Sequence, residues 1–169
     1  MQVNGTTIHV VKGDLTDMET EAIAFYASSD LKLGSGFGNA ITMRGGPSIQ
    51  EELKALAPLG AAQAVVSGAG DLKASYIVHA NGPRFQEANI SEKLRKTLVN
   101  ALKAAEDKGI QQISLPPMGA GFYGVPLEQC AKIMVETFKD YATHGTKLKE
   151  INIVAMNNRE FKPFNELLK

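Results

Sequence analysis

Six short runs of apolar, mostly β-branched residues constrain this chain most: IHVV (8–11), AIAFYA (22–27), QAVVSG (63–68), SYIVHA (75–80), QISLP (112–116) and INIVAM (151–156). They barely alternate between apolar and polar positions. A strand with one wet face alternates with period two, so near-continuous hydrophobicity points to strands covered on both faces. Helical patterns lie between them. In PSIQEELKALA (47–57), Pro47 stands at a helix start, and Ile49, Leu53 and Leu56 fall on one face. Over 91–109, Ser91 is the expected N-cap, Leu94, Leu98, Ala101, Leu102 and Ala105 form the apolar stripe, and Gly109 ends the helix. A third helix runs from Pro126 to Tyr141 and buries Cys130, Met134, Phe138 and Tyr141, and PFNELLK at the end suggests a short terminal helix. This alternation predicts a three-layer α/β/α sandwich, with a central mixed, largely parallel sheet of about six or seven strands. One domain over residues 1–169 is expected.

Bulk properties narrow the function classes. Lys+Arg and Asp+Glu both number 18, so the formal net charge is zero. A duplex nucleic-acid binder needs a cation for each phosphate contact, and no basic excess is visible. No run of about 20 apolar residues predicts a membrane span, and MQVNGTTIHVV lacks the pattern of a secretory leader. Cys130 is the only cysteine, which excludes an internal disulfide and fits a reducing compartment. A soluble, cytoplasmic protein is expected. His9, His79 and His144 show no metal-like spacing, so neither a metal nor a cofactor is predicted. His79 reads as a structural histidine and Cys130 as an inert thiol. Arg44 and Arg84 have two readings, a reach toward a phosphate or a solvated surface role, and the surface role is the commoner. Ser28 and Ser29 have no base beside them in sequence.

In a parallel sheet of this kind the ligand lies beyond the carboxyl ends of the strands. Four loops follow strands: KGDLT (12–16), SSDLKLGSGFGNAI (28–41), ANGPRF (80–85) and PPMGAGFYGVP (116–126). Gly119, Gly121 and Gly124 spell G-x-G-x-x-G, the letters of a dinucleotide-binding turn. Pro116 and Pro117 interrupt that pattern, and the next strand ends at Met156 and Asn157 with no acid. With Gly34, Gly36 and Gly38, the two loops have two readings: glycines that simply turn the chain, or the two sides of a diphosphate cradle built from converging backbone N–H groups and helix N-termini. Asp14, after the first run, has two uses: to accept a hydrogen bond from an exocyclic amine such as adenine's, or to cap the following turn. The cap is the commoner.

Taken together, the loops resemble those of the macro domain, the ADP-ribose-binding α/β module. VKGDLT (11–16) resembles its G-D-[IV]-T. EAIAFYASSDLKLGSGFGNAI (21–41) aligns with its D-A-I-V-N-A-A-N-x-x-L-x-x-G-G-G-V-D-x-A-I. YIVHANGP (76–83) and LPPMGAGFYGVP (115–126) resemble two further motifs in order and spacing. The resemblance implies that Asp14 accepts the adenine amine and that Leu15 N–H meets the ring. It implies one diphosphate loop at Gly34, Ser35, Gly36 and Phe37, and the other at Gly119, Ala120, Gly121, Phe122 and Tyr123. Phe122 or Tyr123 is implied to pack on the distal ribose, and Met156 and Asn157 to lie beside the adenine, where many members place an aromatic ring. Implied partners are ADP-ribose or a related nucleotide, free or attached to protein.

The departures bear on mechanism. FYAS (25–28) replaces N-A-A-N, so the family's second Asn falls on Ser28. The Asp that serves several ADP-ribosyl hydrolases falls on Gly38, and Gly119–Ala120 replaces Ser-Thr. Three readings follow: a binding module without the usual hydrolase side chains; a hydrolase or phosphoesterase working by substrate-assisted water attack; and a binder of another nucleotide or an RNA end. Phe25 and Tyr26 alternate across the sheet, so at most one is expected to fill the site. Asp30 is expected to point elsewhere.

Overall fold

The computed structural model describes residues 1–121 and 124–169. Its strands are β1 (Gln2–Val3), β2 (Thr6–Lys12), β3 (Ala22–Tyr26), β4 (Ala64–Gly68), β5 (Tyr76–Ala80), β6 (Gln112–Leu115) and β7 (Glu150–Ala155). They form one sheet in the order β1-β2-β7-β6-β3-β5-β4. The strands from β2 to β5 in that order pair in parallel, and only the edges, β1 on β2 and β4 on β5, are antiparallel. All six apolar runs are strands. β1, two residues long, is too short to leave a pattern.

The helices are α1 (Phe37–Gly45), α2 (Ser48–Leu56), α3 (Ile90–Asp107), α4 (Leu127–Thr143) and α5 (Asn158–Leu168), with a 3-10 turn at Leu15–Asp17. They cover both faces of the sheet. On one, Leu98 of α3, Met134 and Phe138 of α4 and Phe164 of α5 pack on Ile8, Ile113 and Ile151. On the other, Ile41 of α1 and Ile49 and Leu53 of α2 pack on Ile23, Ile77 and Val154. Burying each such aliphatic side chain contributes about 1.5–3 kcal/mol, which is what holds three layers together.

Helix ends depart from expectation. Asn89, in the left-handed region at φ 55°, is the N-cap of α3. Ser91 lies inside the first turn and accepts a hydrogen bond from Gln129 Nε2 at 2.7 Å instead. The terminal helix starts at Asn158 and carries Pro163 within it, because Asn157 Oδ1 caps the Glu160 N–H upstream at 3.0 Å. Leu56 is 38% exposed at the end of α2. Tyr141 is half-buried, since its hydroxyl donates to Glu106 Oε2 at 3.1 Å.

Candidate functional site

A cleft of about 1220 Å³ opens at the carboxyl ends of the parallel strands, bordered by Asp14 after β2, Phe25 in β3, Pro116 after β6 and Met156 after β7. Gly13 N–H donates to Ala155 O at 2.9 Å, which ties the first loop to the end of β7. Asp14 caps the 3-10 turn: Oδ1 accepts from Thr16 N–H at 2.9 Å and from Thr16 Oγ1 at 2.6 Å. Its Oδ2 lies 3.1 Å from Arg44 Nη1, with both side chains about half-exposed. The cap and the cleft position therefore coexist. The Thr16 hydroxyl foremost, helped by Thr16 N–H and the Arg44 charge, holds the Asp14 carboxyl below its ordinary value although burial pushes the other way. Arg44 is thus not a bare surface cation but the partner of the cleft carboxylate. Leu15, almost fully buried, lines the cleft beside it.

The first glycine loop enters through Ser35, Gly36 and Phe37, which line the cleft, whereas Gly34 does not. Gly36 adopts φ +61° as the N-cap of α1 and supplies no side-chain cap. Helix geometry leaves the first-turn N–H groups without intrahelical acceptors, so a ligand oxygen can take them. Gln50 of α2 holds the loop from below: its Oε1 accepts Leu33 N–H at 2.9 Å and its Nε2 donates to Leu31 O at 3.1 Å. Sequence reasoning missed Gln50, whose only signal is a polar residue beside the buried Ile49. Gln50→Leu is expected to cost about 1–2 kcal/mol in urea denaturation, because two loop groups lose their partners.

Ala120 and Gly121 of the second loop line the opposite wall, with Gly124 and Pro126. Gly119 lies outside the lining, where it accepts Val125 N–H at 3.0 Å. Phe122 and Tyr123 lie outside the described residues. Ser28 lines the cleft and donates to Asp30 Oδ1 at 2.6 Å. Asp30 also accepts Lys32 N–H at 3.1 Å and does not line the cleft.

Phe25 and Tyr26 do face opposite sides of the sheet, yet both border the cleft, because it straddles the sheet's end. Phe25 stacks on Phe37 at 6.0 Å and meets His79 edge-on. Tyr26 is buried and donates its hydroxyl to Pro83 O. Arg84 lies over the Tyr26 ring at 5.7 Å and donates to Ala27 O at 2.6 Å and Asn81 Oδ1 at 2.7 Å, so it fastens the end of β3 instead of standing in solvent. At the far end, Met156 is 73% exposed and lines the cleft; Asn157 does not, being the α5 cap. Arg159 and Glu160 line it too, unanticipated from sequence.

His79 is buried, shares a hydrogen bond with Ser67 Oγ at 2.8 Å, and is pushed down by burial to about 4, which keeps it neutral. Burial pushes the Cys130 thiol up to about 12. Among the described residues no His/Cys/Asp/Glu cluster could hold a metal, and no helix is long and apolar enough to cross a membrane.

The Macro domain family model matches residues 26–134. A macro domain-containing protein of Caldanaerobacter subterraneus is 35% identical over 167 residues, covering 94% of each chain. One from Listeria monocytogenes is 34% identical, covering 95% of this chain and 96% of its own. Among solved structures, the Oceanobacillus iheyensis macrodomain with ADP superposes with a TM-score of 0.93 at 24% identity, covering 99% of this chain and 93% of the other. The Trypanosoma brucei macrodomain in complex with ADP-ribose gives 0.89 at 23%, covering 96% and 69%. At such identity these two structures speak for the fold, while the family model and the two sequence relatives speak for descent. A largely parallel sheet with a carboxylate and two glycine loops at the carboxyl ends of its strands, together with these matches, leads to one conclusion: the chain belongs to the macro domain family.

Proposed function

We propose that the cleft binds ADP-ribose, free or protein-linked, and holds it without the usual hydrolase side chains. The observation that carries this reading is the lining of one cleft by Asp14 and by both glycine loops, Ser35–Phe37 and Ala120–Gly121. Asp14 offers an acceptor to the adenine amine, and the two loops offer N–H donors to a diphosphate between them. Met156 lies against the base, Ser28 toward the distal ribose. The Oceanobacillus and Trypanosoma macrodomains, solved with ADP and ADP-ribose, support the ligand class.

The absence of hydrolysis rests on the side chains at hand. Among the described residues lining the cleft the carboxylates are Asp14 and Glu160, and both are engaged: Asp14 by Thr16 and Arg44, Glu160 by Met156 N–H at 2.8 Å. No histidine lines it. A general base needs a proton acceptor within reach of a water, and neither carboxylate is held for that work. Titration calorimetry tests the binding: ADP-ribose is expected to bind at least about tenfold more tightly than AMP, the diphosphate cradle supplying the difference. No heat from ADP-ribose at millimolar ligand would sink the reading. Incubation with a mono-ADP-ribosylated protein is expected to release nothing beyond the spontaneous rate. A second reading rests on the Phe25–Phe37 stack, an aromatic surface beside the diphosphate loop. It suits a ligand with a second ring there, and NAD binding more tightly than ADP-ribose would favour it.

A further inference from the structure

The chain has four arginines. Arg44 pairs with Asp14, Arg84 holds Ala27 O and Asn81, and Arg95 pairs with Glu136. Arg159 lines the cleft, is exposed, and forms no hydrogen bond or ion pair with the described residues. Its neighbours do not neutralise it. Glu160 is turned to Met156 N–H at 2.8 Å, and Asn158 Oδ1 accepts from Lys12 Nζ at 2.7 Å.

Its place in the cleft is fixed from two sides. Met156, three residues before it, follows β7, whose Ala155 is bonded to Gly13 next to Asp14. On the other side α5 packs on α4. Pro126 and Leu127, where α4 begins, line the cleft below the second glycine loop. Arg159 therefore stands beside the stretch between the Asp14 end and the diphosphate loops. In the ADP-ribose reading, on which this inference rests, that stretch holds the adenosine ribose. ADP-ribose carries its negative charge at the diphosphate, where backbone N–H groups receive it, and a neutral sugar edge gives a guanidinium nothing ionic to meet. An unpaired, bidentate donor at that edge suits a further phosphate.

We infer that Arg159 recognises a phosphate on the adenosine ribose, so that the ligand this cleft prefers is ADP-ribose bearing a 2′-phosphate monoester. The test is calorimetry of the full chain with ADP-ribose and with its 2′-phosphate, for the wild type, Arg159→Gln and Arg159→Lys. The wild type is expected to favour the phosphorylated ligand about fivefold, a modest factor because the site is open to water. Arg159→Gln is expected to abolish that preference while changing ADP-ribose affinity less than about twofold, and Arg159→Lys to keep part of it as a point charge. Raising the salt concentration should erode the wild-type preference and leave the Gln variant unaffected. Equal affinity of the wild type for both ligands overturns the inference, as does an Arg159→Gln loss that is the same for both, which would mean contact with the base. Either result leaves ADP-ribose binding standing. A wild type that binds neither ligand removes the underlying reading as well.

Discussion

Gly38→Ala is expected to destabilise the protein by about 4 kcal/mol and to remove ADP-ribose binding. A Cβ built on Gly38 would lie 1.7 Å from Leu33 O and 2.5 Å from the Leu33 carbonyl carbon. Those are backbone atoms, so no rotamer change relieves the clash; either the start of α1 or the loop at Leu33 must move. Leu33 is itself pinned by Gln50, and Ser35, Gly36 and Phe37, where α1 begins, line the cleft. The displacement therefore falls on the cleft lining. Gly34→Ala is the control. Gly34 sits at φ +67° with nothing within 4 Å of a Cβ, so its cost is backbone strain alone, about 1 kcal/mol. Urea unfolding of both variants separates the two causes, and a Gly38→Ala protein with a wild-type midpoint would show that the close approach is not there. The packing against Leu33 O admits no side chain at position 38. Gly38→Asp is accordingly expected to disrupt the loop and to create no ADP-ribosyl release.

How much of this was legible in the chain depends on the range of the interactions. The six strands were readable because burial on both faces writes continuous apolar runs, and β1, two residues long, wrote none. Asp14 and the two glycine loops could be placed because each follows its strand in fixed order. Arg84 and Gln50 could not. Arg84 finds Ala27, 57 positions earlier, and Gln50 finds Leu33 and Leu31, 17 and 19 positions earlier, all through backbone atoms whose identity the sequence does not encode. Arg44 reads as surface because its partner, Asp14, lies on another loop and is itself half-exposed. The glycine at 38 was visible; the reason for it, the Leu33 carbonyl beneath, was not. Phe25 and Tyr26 obeyed strand alternation, and both nonetheless border the cleft, because it crosses the end of the sheet and meets both faces.

Asp14→Ala is expected to weaken ADP-ribose binding by about 1–3 kcal/mol, roughly 5- to 150-fold, because the adenine amine would be desolvated with no acceptor opposite it. The substitution has a second cost. Asp14 Oδ1 caps the Leu15–Asp17 turn through Thr16, and losing that cap takes about 1 kcal/mol from stability. Affinity alone cannot separate recognition from a loosened loop, so selectivity is the sharper measurement. Oδ2, the oxygen that Thr16 leaves unbonded, meets Arg44 and remains an acceptor for a ligand donor. A carboxylate only accepts. It favours the 6-amino group of adenine and repels the 6-oxo group of hypoxanthine, so the wild type is expected to prefer ADP-ribose over its hypoxanthine analogue by at least about tenfold. In Asp14→Ala that ratio should collapse toward one, whereas a merely loosened turn would weaken both ligands and leave the ratio intact. The pH dependence has a fixed sign. The Thr16 hydroxyl, with Thr16 N–H and Arg44, holds the Asp14 carboxyl below the ordinary range. The charged form is therefore retained as pH falls from 8 to about 5, and the adenine preference should stay level over that interval, declining only when more acid protonates the group. A preference that halves between pH 7 and 5 would place the discriminating group elsewhere in the cleft.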